Sequence, residues 1–123
     1  MPYTYDDQNI FAKILRGENP NSTVKETEHT LAFRDIAPKA PDHILVIPKG
    51  PYVTADHFGA EASEAEIMDF WRTFAAIVAE IGADGPGYRI ISNSGSDGVQ
   101  EVPHFHMHIL AGRNMGPMVL MRD

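Results

Sequence analysis

His104-Phe105-His106-Met107-His108-Ile109-Leu110 alternates imidazole and apolar side chains, and half of the chain's six histidines fall in it. A period of two is the period of a β-strand. On a strand the three imidazoles share one face, and Phe105, Met107 and Ile109 share the other. The apolar face can pack on a core, which leaves a row of titratable rings opposite. Imidazole is both a nucleophile and an acid–base near neutral pH, so such a row points to chemistry on a ligand.

Working outward, the chain has 123 residues, enough for one domain. Its formal charge is -7, a poor balance for gripping a nucleic-acid backbone, whose contacts need clustered Lys and Arg. A single nucleotide is compatible, because backbone N–H groups and a few side chains can hold one phosphate. There is no cysteine, which removes disulfides, thiolate metal sites and Cys nucleophiles. Met1 to Asn9 is polar and acidic, without the basic and apolar regions of a secretion signal. No apolar run approaches the ~18 residues of a membrane span. The expectation is a cytoplasmic protein with no membrane and no nucleic-acid partner.

Asp7 is an acceptable N-cap for a short helix through Ile10 to Leu15, ended by Gly17. Strands are expected near Thr23–Glu26 and Leu31–Asp35 as a hairpin, and at His43–Ile47, which Pro48-Lys49-Gly50-Pro51 stops. Tyr52–Ala60 is ambiguous. Ser63 and Glu66 have capping-box spacing. Behind them Ile67, Phe70, Trp71, Phe74, Ile77, Val78 and Ile81 recur at helical intervals, and Gly82 closes the helix. Tyr88–Ser92 reads as a strand, and the polar loop Asn93–Gln100 leads into the histidine row. These elements give an α+β chain, a mostly antiparallel sheet with helices on one face. The long helix should cover the face carrying Phe105, Met107 and Ile109.

Three readings of the row compete. Three satisfied structural histidines on one face would pay desolvation, and mutual repulsion if charged. A zinc site is the second. Neighbours on one face lie ~6.6–7 Å apart, so two rings can lean onto one ion, but the third starts ~13 Å from the first. The third is nucleophilic attack at phosphorus by the middle ring, with its neighbours holding its tautomer and the phosphate oxygens. That reading needs an anion-binding loop and a fourth polar group from a nearby strand. Residues 93–100 and His43 are the candidates.

Residues 104 to 110 match at every position the His-φ-His-φ-His-φ-φ pattern (φ apolar) of the histidine triad (HIT) family of nucleotide hydrolases and transferases. Ile10-Phe11-Ala12-Lys13-Ile14, Leu31-Ala32-Phe33-Arg34-Asp35-Ile36, His43-Ile44-Leu45-Val46-Ile47-Pro48-Lys49 and Ser96-Asp97-Gly98 also resemble that family, in its nucleotide-binding-protein branch. The likeness covers about Ile10 to Arg113. It implies one HIT domain over residues 1–123, with a core of about 8–113 and a C-terminal tail at 114–123. It implies five strands with two helices on one face, and a homodimer whose sheets join into ten strands. By resemblance His106 is the nucleophile, His108 orients it, and His104 and His43 lie near the phosphate and leaving group. Asp35 would bind the ribose hydroxyls. Ile10, Phe11, Ile14, Phe33, Ile36 and Leu45 would form an apolar base slot. Asn93, Val99 and Glu101 would lie on the phosphate and leaving-group side. The implied substrates are purine nucleoside phosphoramidates and, in related members, aminoacyl adenylates. No metal or other cofactor is expected.

The sequence departs from that branch in three places. Val99 stands where glycine is common, Glu101 where a small hydroxyl residue is frequent, and the tail Met115-Gly116-Pro117-Met118 lacks the tryptophan of some relatives. Rival functions are a dinucleoside polyphosphate hydrolase, a nucleotide-binding regulatory protein with incidental hydrolysis, and a two-His zinc protein.

Overall fold

Helix α1, Ile10–Leu15, opens a computed structural model that describes residues 3–120. Its cap is Asn9, whose side chain accepts from the Ala12 N–H, and not the expected Asp7. Asn9 sits at the spacing that reaches Ala12, and its own amide is held by the Asp6 carbonyl at 2.8 Å. Gly17 takes φ 80 just beyond the C-cap Arg16, a conformation that a side chain resists.

Five strands follow: β1 Thr23–Glu26, β2 Thr30–Arg34, β3 Asp42–Pro48, β4 Arg89–Ile91 and β5 Met107–Ala111. They form one sheet in the order β1-β2-β3-β5-β4, with every pair antiparallel. The ambiguous segment becomes helix α2, Ala55–Glu61, capped by Thr54. Helix α3, Glu64–Glu80, carries the capping box of Ser63 and Glu66 in both directions. Asp69 on α3 accepts from Thr27 Oγ1, Thr30 Oγ1 and the His29 N–H, which ties the β1–β2 turn to the helix.

Alternation along β3 divides the core between two faces. Ile44 and Val46 join Phe105, Met107 and Ile109 under Phe58 of α2 and Phe70, Phe74, Ile77 and Val78 of α3. Leu45 and Ile47 join Leu31, Phe33 and Phe11 on the opposite face. Helices α2 and α3 therefore cover one face, while α1 packs on the other, beside the histidines.

One expectation about the histidine row is corrected. The β5 ladder begins only at Met107, so His104 and His106 precede it in irregular backbone. Pairing between β3 and β5 stops at Val46↔Met107. Beyond that point the Phe105 N–H donates to the Tyr52 carbonyl, and the Pro48 carbonyl is taken by the His104 ring. Alternation of faces nonetheless persists back to Phe105. Among the described residues no helix is long and apolar enough to cross a membrane. Of the two termini, residues 1–2 and the tail's 121–123 lie outside the described residues.

Candidate active site

A cleft of about 420 Å³ opens on the α1 side of the sheet. Its wall includes His106 and His108 from the row, His43 from the start of β3, and Asp35 beyond the end of β2. Antiparallel pairing sets Leu45 opposite His108 and His43 opposite Leu110, so strand register fixes the meeting of the two histidines. Their rings are joined by a 2.9 Å contact between His43 Nε2 and His108 Nδ1.

Hydrogen-bond partners settle the tautomers. The Lys39 N–H donates to His43 Nδ1 at 3.0 Å, so the proton of a neutral His43 is on Nε2. That Nε2–H donates to His108 Nδ1, which leaves the His108 proton on Nε2. His106 Nδ1–H donates to the His104 carbonyl at 2.7 Å, because a carbonyl can only accept. His106 Nε2 is left with a free lone pair on a ring that lines the cleft. His104 itself is fully buried, between the Pro48 carbonyl on Nε2 and the Tyr5 hydroxyl on Nδ1.

Burial holds all four rings neutral. Desolvation pushes His104 down to about 4 and His108 down to about 4, with nearby imidazoles adding to it. It lowers His106 as well, against the opposing fields of Asp35 and Glu101. His43 is lowered by burial, with Asp35 opposing. A neutral His106 is a competent nucleophile at neutral pH.

The structure brings together Phe11, Asp35, His43, Leu45, Asn93, Val99, Glu101, His106 and His108. The apolar lining of the cleft differs from the expected base slot. Phe11 and Leu45 line the cleft, with Phe33 buried behind Phe11 at 5.7 Å between ring centres. Ile14 faces a separate hollow with Leu15, Leu31 and Lys49. Ile10 is half-exposed and Ile36 is 98% exposed, and neither lines the cleft. Ile10 precedes Phe11 by one residue, roughly 100° around the helix. Ile36 sits at the bend where Asp35 Oδ1 accepts the Ala37 N–H. Ile91, Val102 and Leu110, which sequence reasoning missed, supply apolar wall in their place. Lys39 was also missed; its backbone N–H, the group that matters, carries no side-chain signal.

The loop before the row is held by its own polar groups. Asn93 Nδ2 donates to the Gly98 carbonyl at 2.7 Å, and Gln100 Oε1 accepts the Gly95 N–H. Within it Val99 takes φ 58, the one non-glycine residue at positive φ among the described residues. A β-branched side chain is strained there. A Cβ on Gly98 would lie 2.4 Å from the Ser94 carbonyl oxygen, so that position admits only glycine without movement.

Asp35, His43 and His108 each offer a ligand atom within 4.8 Å of the others, a donor set that suits a divalent ion. An ion there would displace the His43–His108 hydrogen bond. This grouping draws on one ring of the row, whereas the zinc reading required two.

A HIT domain family model matches residues 16–115. A HIT-like protein of Azospirillum brasilense is 58% identical over 97% of this chain and 98% of its own length. The purine nucleoside phosphoramidase of Escherichia coli is 44% identical over 92% of this chain and 94% of its own. Among solved structures, a histidine triad protein from Clostridium difficile superposes with a TM-score of 0.83 at 39% identity, covering 94% of this chain and all of its own.

Proposed function

The chain belongs to the HIT domain family, and from that premise we propose that it is a hydrolase of purine nucleoside phosphoramidates. The observation that carries the reading is the locked tautomer of His106, with Nδ1–H on the His104 carbonyl and Nε2 free in the cleft. The name of the Escherichia coli relative supports the substrate class.

In the first step His106 Nε2 attacks the α-phosphorus. A P–N bond to His106 forms, and the P–N bond to the leaving amine breaks. The leaving nitrogen takes a proton from the His43–His108 pair. In the free protein this pair is neutral. The substrate's phosphate anion, standing beside it, raises its proton affinity, so the pair takes up one proton from solvent on binding and that proton goes to the leaving nitrogen. In the second step water attacks the nucleotidyl-His106. Its oxygen bonds to phosphorus as the P–N bond to His106 Nε2 breaks, one of its protons passes to the pair, and the nucleoside monophosphate leaves with His106 restored. Asp35 accepts hydrogen bonds from the ribose hydroxyls, and Phe11 and Leu45 pack on the base. Asn93 serves the phosphate side.

The same reading includes a homodimer. The exposed apolar residues Met68, Trp71, Tyr88 and Ile90 lie on α3 and at β4, whose outer edge is unpaired in one chain. Light scattering at micromolar concentration is expected to give twice the chain mass, and a monomer would refute the dimer.

Mass spectrometry after mixing with an adenosine phosphoramidate tests the chemistry. AMP attached to His106 is expected. His106→Asn should lose both the adduct and turnover while still binding AMP, because the ring acts mainly in the transition state. Turnover without an adduct on His106, or full activity in the variant, would overturn the proposal.

A further inference from the structure

The segment ahead of α1 runs from Tyr3 to Asp6 without regular structure, yet it is pinned in three places. The Tyr3 ring stacks on His57 of α2, with centres 4.2 Å apart and planes 2° from parallel, and its hydroxyl donates to Asp56. The Asp6 carbonyl is bound by the Asn9 side chain that caps α1. Between these anchors the Tyr5 hydroxyl meets His104 Nδ1 at 2.6 Å.

The direction of that bond follows from the other side of the ring. The Pro48 carbonyl can only accept, so it takes the His104 Nε2–H at 2.8 Å. Nδ1 of the neutral ring is then an acceptor, and Tyr5 is the donor. Burial raises the Tyr5 pKa, which keeps the hydroxyl protonated at working pH. His104 is fully buried, and both of its nitrogens are engaged. Its backbone carbonyl, two residues from the nucleophile, accepts the His106 Nδ1–H at 2.7 Å.

We infer that Tyr5 is a positioning residue for the reaction: its hydroxyl clamps the His104 ring, and so holds the His104 carbonyl where it fixes the His106 tautomer. Without the hydroxyl, Nδ1 becomes an unsatisfied acceptor inside a closed site. The ring can recover a partner only by turning or by drawing in water or a proton. Each of these strains the Pro48 contact and the peptide that carries the His106 acceptor. The inference rests on His106 being the nucleophile.

Two variants separate this role from simple attachment of the segment. Tyr5→Phe removes the one donor and keeps the ring. Tyr3→Phe removes a bond of the same segment outside the site. With an adenosine phosphoramidate as substrate, Tyr5→Phe is expected to lower kcat by roughly tenfold to a hundredfold. KM should stay within about twofold. Tyr3→Phe should keep the parent kcat. In parallel, 15N NMR of the histidine rings should show a single Nδ1–H tautomer for His106 in the parent and a mixture in Tyr5→Phe. Parent-like kcat and His106 signals in Tyr5→Phe, even with a lower Tm, would overturn the inference. So would an equal loss of kcat in Tyr3→Phe. If the unmutated protein turns over no phosphoramidate, the functional reading fails. The NMR comparison then still decides whether Tyr5 governs the His106 ring.

Discussion

Acidification should unfold this protein in a window set by its histidines. His104 is fully buried and its pKa falls from 6.5 to about 4. As pH drops through 6.5, the unfolded chain binds a proton that the folded chain refuses. The unfolded state thus holds more protons between those values, and stability decreases as pH falls. For His104 alone the loss is about 2 kcal/mol at pH ~5 and levels off near 3 kcal/mol below pH ~4. His43, His106 and His108 are shifted in the same direction and steepen the loss. For a domain with a net stability of about 5–15 kcal/mol that is a large share. The depressed carboxylates Glu66 and Asp69 act in a lower window, below their ordinary values of 4.5 and 3.8. Urea denaturation at several pH values between about 7.5 and 5 reads the histidine contribution directly. His104→Asn should be less stable at neutral pH, because it loses the Pro48 and Tyr5 bonds. Its stability should nevertheless fall less steeply with acid, by close to one proton. A flat midpoint across this window in the parent, or an unchanged slope in His104→Asn, would refute the reasoning.

Other consequences can be checked separately. Val99→Gly removes a β-branched residue from φ 58; after the entropy cost of glycine, a gain of about 1 kcal/mol and a Tm higher by about 3 °C are expected by calorimetry. An unchanged or lower Tm would mean that the loop bears no strain. Asp35→Ala should weaken AMP binding by roughly 1.5–3 kcal/mol for each ribose hydrogen bond lost, while leaving free phosphate unaffected. Titration calorimetry with ribo- and 2′,3′-dideoxynucleotides on the parent checks the cause, and equal affinities would remove Asp35 from that role.

Local signals in the chain were strong where one element decides its own geometry. Ser63 and Glu66 close a capping box because both partners lie within one helical turn. Gly82 takes φ 70 beyond α3 because the C-terminal turn needs it. The alternation of Phe105, Met107 and Ile109 already assigned their core face. Asp7 is the expected cap of α1, but Asn9 is an equally good capping residue. The choice fell to Asn9, which can hold Ala12 and the Asp6 carbonyl at once.

What the sequence determined by itself is the antiparallel α+β architecture and the pairing of an apolar face with a histidine face. Periodicity is a property of neighbours in the chain, and it survives any arrangement of the rest. The tertiary structure decided how far the strand extends and what each imidazole is bound to. The row enters the ladder only after His106, because the Pro48 carbonyl takes a side chain and the Phe105 N–H goes to Tyr52. The tautomers depend on a proline carbonyl, a lysine backbone N–H and a tyrosine 99 positions from the histidine it meets. Backbone donors and acceptors are the same for nearly every residue, so their placement leaves no mark in a sequence until the chain has folded around them.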